Sequence, residues 1–156
     1  MKQTSRISIV ILMLIIGISS CKEDVYTDWK IKNQQWLENN KTQTDVITSP
    51  SGSGLQYKVI YQGWAYNRKP NANSVVKVTF KGTLIDGSTF ESGTEAILDL
   101  AIRNKGWKEG IPKMNGGGKY IFYVPSSLGN DTISSNTMIP PHSTLIYEVN
   151  LIDSYN

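Results

Sequence analysis

The stretch Gly106–Val124, "GWKEGIPKMNGGGKYIFYV", changes its period halfway through, and that change decides the fold. Trp107, Ile111 and Met114 are spaced i, i+4, i+7, which predicts a short helix with one apolar face. Pro112 falls inside that window and deletes a backbone donor, so the helix is expected to be brief. Three glycines, Gly116–Gly118, then give way to "KYIFYV", a run with strand composition.

The pieces on either side read as half-buried antiparallel strands. Upstream, Leu55, Tyr57, Val59 and Tyr61 alternate with polar residues, "NRKPNANS" breaks the run, and Val76, Val78 and Phe80 then alternate with Lys77, Thr79 and Lys81. Asp86-Gly87 in "LIDGSTFES" supplies hairpin turn chemistry. Downstream, "TLIYEVNLI" sets Leu145, Tyr147, Val149 and Leu151 on one face. Several strands around one helix predict an α+β fold, a curved antiparallel sheet wrapped on that helix.

Three segments follow along the chain of 156 residues. Residues 1–20 have the form of a secretory signal: basic Lys2 and Arg6, the apolar run "ISIVILMLIIGI", then small residues. The run is shorter than the roughly 20 residues a spanning helix takes. Residues 21–53 are read as the mature N-terminus, a short helix and a linker. Trp29 and Trp36, seven apart, share a helical face that packs on the domain or on a partner; "NNKTQTDVITSPSGSG" has linker composition. Residues 54–156 are the folded domain.

Ile18-Ser19-Ser20-Cys21 resembles the lipobox of bacterial lipoproteins, and Cys21 is the only cysteine, with no disulfide partner. Acylation of Cys21 would anchor the chain to a bilayer without a spanning helix. "KEDV" after it is similar to signals that send lipoproteins to the outer face of the outer membrane. The expected location is therefore the cell envelope, lipid-anchored, at the outer membrane. Removing the leader takes Lys2 and Arg6 and no acid, so the formal charge of +3 falls to +1, and nothing points to nucleic acid.

Most catalytic chemistries lack their residues. One histidine, His142, beside Pro140-Pro141, excludes a multi-histidine metal site and disfavours a histidine-dependent triad. "NGGGK" lacks the phosphate-loop frame and leads into a strand. No cofactor is implied. What remains is aromatic and apolar side chains, backbone groups and an occasional carboxylate.

"VVKVTFKGTLIDGSTFES", "GWKEGIPKM" with "GGGKYIFYVPSSL", and "MIPPHSTLIYEVNLI" together resemble, in order and spacing, the FK506-binding type of peptidyl-prolyl cis-trans isomerase over about residues 55–153. The resemblance implies a half-barrel of about five antiparallel strands curled around the short helix. It implies Trp107 as the floor of a prolyl pocket, walls of Phe80, Phe90, Ile139 and Tyr147, and Glu91 beside them. Ile97, Ile102, Asn130 and Met138 are further substrate contacts on this view. Proline-containing segments of exported proteins would be its substrates.

The departures concern polar groups. The family's usual tyrosine is Phe80, its pocket aspartate is Glu91, and the tyrosine that meets a substrate carbonyl is Asn130. The Val-Ile pair upstream of the tryptophan corresponds either to Ala101-Ile102, with two residues inserted, or to Arg103-Asn104. A folding isomerase is the leading expectation. The alternative is a non-catalytic interaction lipoprotein of the envelope, using the pocket rim or the Trp29/Trp36 segment; a weaker one is dimerisation through the N-terminal segment.

Overall fold

A computed structural model describes residues 26–64, 69–129 and 138–155. Among the described residues helix α1 (Thr27–Asn40) comes first, then strands β1 (Ile47–Thr48), β2 (Gln56–Tyr61), β3 (Val75–Thr83) and β4 (Thr89–Asp99). Helix α2 (Lys105–Gly110) precedes β5 (Lys119–Val124) and β6 (Leu145–Tyr155). The strands form one antiparallel sheet in the order β1-β2-β5-β6-β3-β4. Five of them correspond to the expected half-barrel. The sixth, two-residue β1, adds to the β2 edge from within the stretch read as linker.

Alternation supplies the core. Val76, Val78, Phe80 and Gly82 of β3 point inward, as do Leu145, Tyr147, Val149 and Leu151 of β6. Against them packs α2, through Trp107, with Ile111 and Met114 following; all three side chains are at most 3% exposed. Pro112 is accommodated because the chain changes at Ile111 from α-helix to a 3-10 turn, Ile111–Lys113, whose first positions need no donor.

Bulges bend the sheet around this helix. Between the pairs Val78↔Ala96 and Phe80↔Gly93, β4 carries one residue more than β3; Glu95 there has φ +50° and its N–H donates to Thr79 Oγ1 at 3.1 Å. A second bulge, between Gly82↔Glu91 and Thr83↔Thr89, leaves Phe90 unpaired and turns it inward.

Helix α1 is built into the domain. Trp29 Nε1 donates to Ser143 Oγ at 2.9 Å, and the Trp36 ring meets Tyr123 at 5.6 Å. Buried Asn33 accepts from the Thr144 N–H through Oδ1 at 2.7 Å. Gln56 Nε2 donates to the Leu37 carbonyl, and Asn40 Nδ2 to Gln56 Oε1. The shared face of Trp29 and Trp36 thus packs on the sheet and the 139–144 loop, the first of the two expectations for it, with both rings half-buried. The serines after β1 are also fixed: Ser49, Ser51 and Ser53 all donate to Glu109 Oε1, at 2.6, 2.7 and 2.9 Å.

Candidate functional site

The concave side of the sheet holds four aromatic rings in edge-to-face contact. Trp107 lies with ring centroids 5.2 Å from both Phe80 and Tyr147, at interplanar angles of 87° and 76°. Phe90 meets Tyr147 at 5.5 Å and 84°. Such T-shaped pairs set the positive edge of one ring on the negative face of another and favour a fixed arrangement.

Local sequence places each ring. Asn104 caps α2, its Oδ1 accepting the Trp107 N–H at 3.0 Å, and so sets where the indole starts. The bulge turns Phe90 in, and Gly82 makes room: a Cβ there would stand 2.7 Å from Phe90 Cζ and 3.0 Å from Tyr147 Cε1. Ile139 is half-buried against the hydrophobic core to which these rings belong.

Polar groups edge the cluster. Arg103 donates from Nη1 and Nη2 to the two carboxylate oxygens of Glu91, at 2.7 and 2.8 Å. Its guanidinium lies over the Trp107 ring, 4.6 Å from the centroid, and 5.8 Å from that of Phe80. Burial works against the Arg103 charge, but the Glu91 bonds outweigh it and raise its affinity for the proton. Arg103 Nε and Trp107 Nε1 are buried and meet no acceptor among the described residues. Burial, reinforced by the nearby Glu91 charge, pushes the Tyr147 hydroxyl above its ordinary value, so Tyr147 is neutral at physiological pH. Asn104 Nδ2 stands 3.4 Å from that hydroxyl.

Phe80, Phe90, Trp107 and Tyr147 are therefore brought together, with Glu91 alongside, while Ile139 packs on the core they belong to. Ile97, Ile102 and Met138 are instead exposed, by 69%, 83% and 56%. Asn130 and Cys21 lie outside the described residues. Of the two alignments upstream of the tryptophan, Arg103-Asn104 is the pair that touches it; Ile102 ends a 3-10 turn, Leu100–Ile102. The capping role of Asn104 was open to detection, since Asn before a helical run is a start signal. Nothing local signals that Arg103 reaches across the indole to Glu91. Among the described residues no group of three or more His, Cys, Asp or Glu side chains could hold a metal ion.

The comparisons agree with this geometry. A probable FKBP-type peptidyl-prolyl cis-trans isomerase FkpA of Neisseria meningitidis is 34% identical over 127 residues, covering 79% of this chain and 45% of the relative. An outer membrane protein MIP of Legionella longbeachae is 35% identical over 127 residues, 79% of this chain and 53% of the relative. The chain spans about half the length of these relatives. The crystal structure of a peptidyl-prolyl cis-trans isomerase from Pseudomonas syringae superposes with a TM-score of 0.76 at 24% identity, over 85% of this chain and 98% of that one, and so shares the fold. The family model for FKBP-type peptidyl-prolyl cis-trans isomerases matches residues 66–152, more than half of the chain and every ring of the aromatic cluster. By that match, this chain belongs to the FKBP-type peptidyl-prolyl cis-trans isomerase family.

Proposed function

We propose that the protein is a peptidyl-prolyl cis-trans isomerase acting on exported proteins from a lipid anchor at Cys21. The observation that carries the catalytic part is the packed cluster of Trp107, Phe80, Tyr147 and Phe90 on the concave face. Amide resonance holds the X-Pro bond planar against a barrier of about 18–20 kcal/mol. It also puts partial charges on O and N, which water stabilises. In the twisted transition state that separation is reduced, so a dry aromatic slot favours it over the planar ground state. This is differential binding, at about 1.4 kcal/mol for each tenfold in rate. A rigid slot also holds the prolyl ring at low entropic cost. No nucleophile, proton transfer or metal is required.

The polar surroundings suit a modest rather than a fast catalyst. Phe80 offers no hydroxyl, and hydrogen bonds of that kind contribute about 0.5–1.5 kcal/mol each. The uncatalysed bond takes tens to hundreds of seconds, so a modest catalyst still shortens folding. Acylated Cys21 would hold the domain at the envelope, the outer membrane being the favoured site from the residues that follow it.

The test is cis/trans exchange in an Ala-Leu-Pro-Phe peptide by NMR, with Trp107→Leu as control. Acceleration by the wild type that is lost in a folded variant supports the reading; exchange at the background rate with the wild type refutes it. A second reading, a non-catalytic interaction lipoprotein, draws on the guanidinium lying over the Trp107 ring. It expects partner capture unaffected by Trp107→Leu.

A further inference from the structure

Arg103 covers part of the pocket floor. Its guanidinium carbon stands over the Trp107 ring, 4.6 Å from the centroid, the Phe80 and Tyr147 rings each stand 5.2 Å away, and the tryptophan is only 3% exposed. A prolyl ring laid on that indole therefore has to displace the guanidinium. Arg103 cannot leave by losing its proton, because arginine stays charged throughout the working pH range. It is anchored at its far end to Glu91, and the two side chains are 19% and 32% exposed. Two of its five N–H donors are used there, one on each terminal nitrogen, so Nη1 and Nη2 each keep a second N–H. A second anion can thus be taken up without releasing Glu91.

We propose that Arg103 determines which prolines this pocket accepts: it closes the Trp107 floor in the free protein, and peptides with a carboxylate beside the proline are preferred because they give the displaced guanidinium a partner. This rests on the isomerase-type pocket proposed above and names its substrate class. A leucine beside the proline must displace the guanidinium with nothing in exchange. A lysine adds repulsion.

The experiment compares Ala-Glu-Pro-Phe, Ala-Leu-Pro-Phe and Ala-Lys-Pro-Phe, with wild type and Arg103→Met. Exchange is followed by NMR, and binding through the Trp107 indole N–H signal of the same samples. The glutamate peptide should exceed the leucine peptide by about tenfold in kcat/KM, the scale of one charge-assisted hydrogen bond. The lysine peptide should rank last, and the preference should shrink as salt is raised. Arg103→Met should bring all three within about twofold and speed the leucine peptide, the differential being that one interaction. The same ranking in wild type and variant, or a wild type that prefers leucine, overturns the proposal. Arg103→Met leaves Glu91 without its cation; if it does not fold, the double variant Arg103→Met, Glu91→Gln removes both charges and is read the same way. If no peptide is accelerated, the isomerase reading falls and the indole titration decides alone. Tighter binding of the glutamate peptide that disappears in the variant supports the role of Arg103; equal affinities overturn it.

Discussion

Asn33 ties helix α1 to the loop that carries Ile139, and replacing it by alanine isolates that tie. The residue is 2% exposed; its Oδ1 accepts from Thr144 N at 2.7 Å, and its Nδ2 donates to the Trp29 carbonyl at 2.8 Å. Thr144 is itself 1% exposed, so its N–H has no route to water once Oδ1 is gone. A buried donor left unsatisfied costs about 1–3 kcal/mol. The better helix propensity of alanine returns at most about 0.7 kcal/mol. With that return subtracted in full, the expected net loss is about 0.3–2.3 kcal/mol. With a urea slope of about 2 kcal/mol/M, the middle of the usual range, the midpoint should fall by roughly 0.2–1.2 M. Tryptophan fluorescence during urea unfolding reads the midpoint, and hydrogen exchange reads the Thr144 amide directly. An unchanged midpoint together with a Thr144 amide as protected as in the wild type would refute the reasoning, because the helix would then not hold that loop.

Two further perturbations test other parts of the architecture. Gly82→Ala puts a methyl 2.7 Å from Phe90 Cζ and 3.0 Å from Tyr147 Cε1. Overpacking of that kind costs about 1–3 kcal/mol, so the melting temperature should fall, and proline-peptide exchange should slow as both rings shift. At Glu109, burial pushes the carboxyl up, but the hydroxyls of Ser49, Ser51 and Ser53, with Lys113, outweigh it and hold the group below its ordinary range. A depressed carboxylate contributes stability that is present above its unfolded pKa and is lost as pH falls through the folded value. Thermal melts from pH 7 to pH 3 should therefore decline less steeply for Glu109→Gln than for the wild type.

The parts legible in the sequence are those set by local period. Alternation in "VVKVTF" and "LIYEVNL" locates β3 and β6, and the i, i+4, i+7 spacing of Trp107, Ile111 and Met114 locates the helical turn and its inward face. The seven-residue spacing of Trp29 and Trp36 marks a face that packs, without saying on what. β4 was hidden beyond Ser92 because the bulge at Glu95 shifts its register and breaks the alternation. The serines of "SPSGSG" look like linker because their partner, Glu109, is more than fifty residues away. The aromatic cluster was legible only through the resemblance to a known family: Phe80, Trp107 and Tyr147 sit on regular elements, but Phe90 turns inward at a bulge that no period announces. Arg103 stayed out of reach: its position depends on a long side chain folding back over Trp107 toward a carboxylate on another strand.

Docking of α1 also fixes a leash length. Trp29 is bonded to Ser143, whose Oγ donates in turn to the Pro140 carbonyl, so the start of the helix lies beside the loop bearing Ile139. Four residues separate Tyr26 from Cys21, and the five Cα–Cα steps across them span at most about 18 Å when fully extended. If Cys21 is acylated as proposed, the helix that could have served as a spacer is used up in the domain. The Ile139 side of the pocket would then sit within a lipid headgroup layer or two of the bilayer, and the chains it reaches would be those still close to the membrane surface.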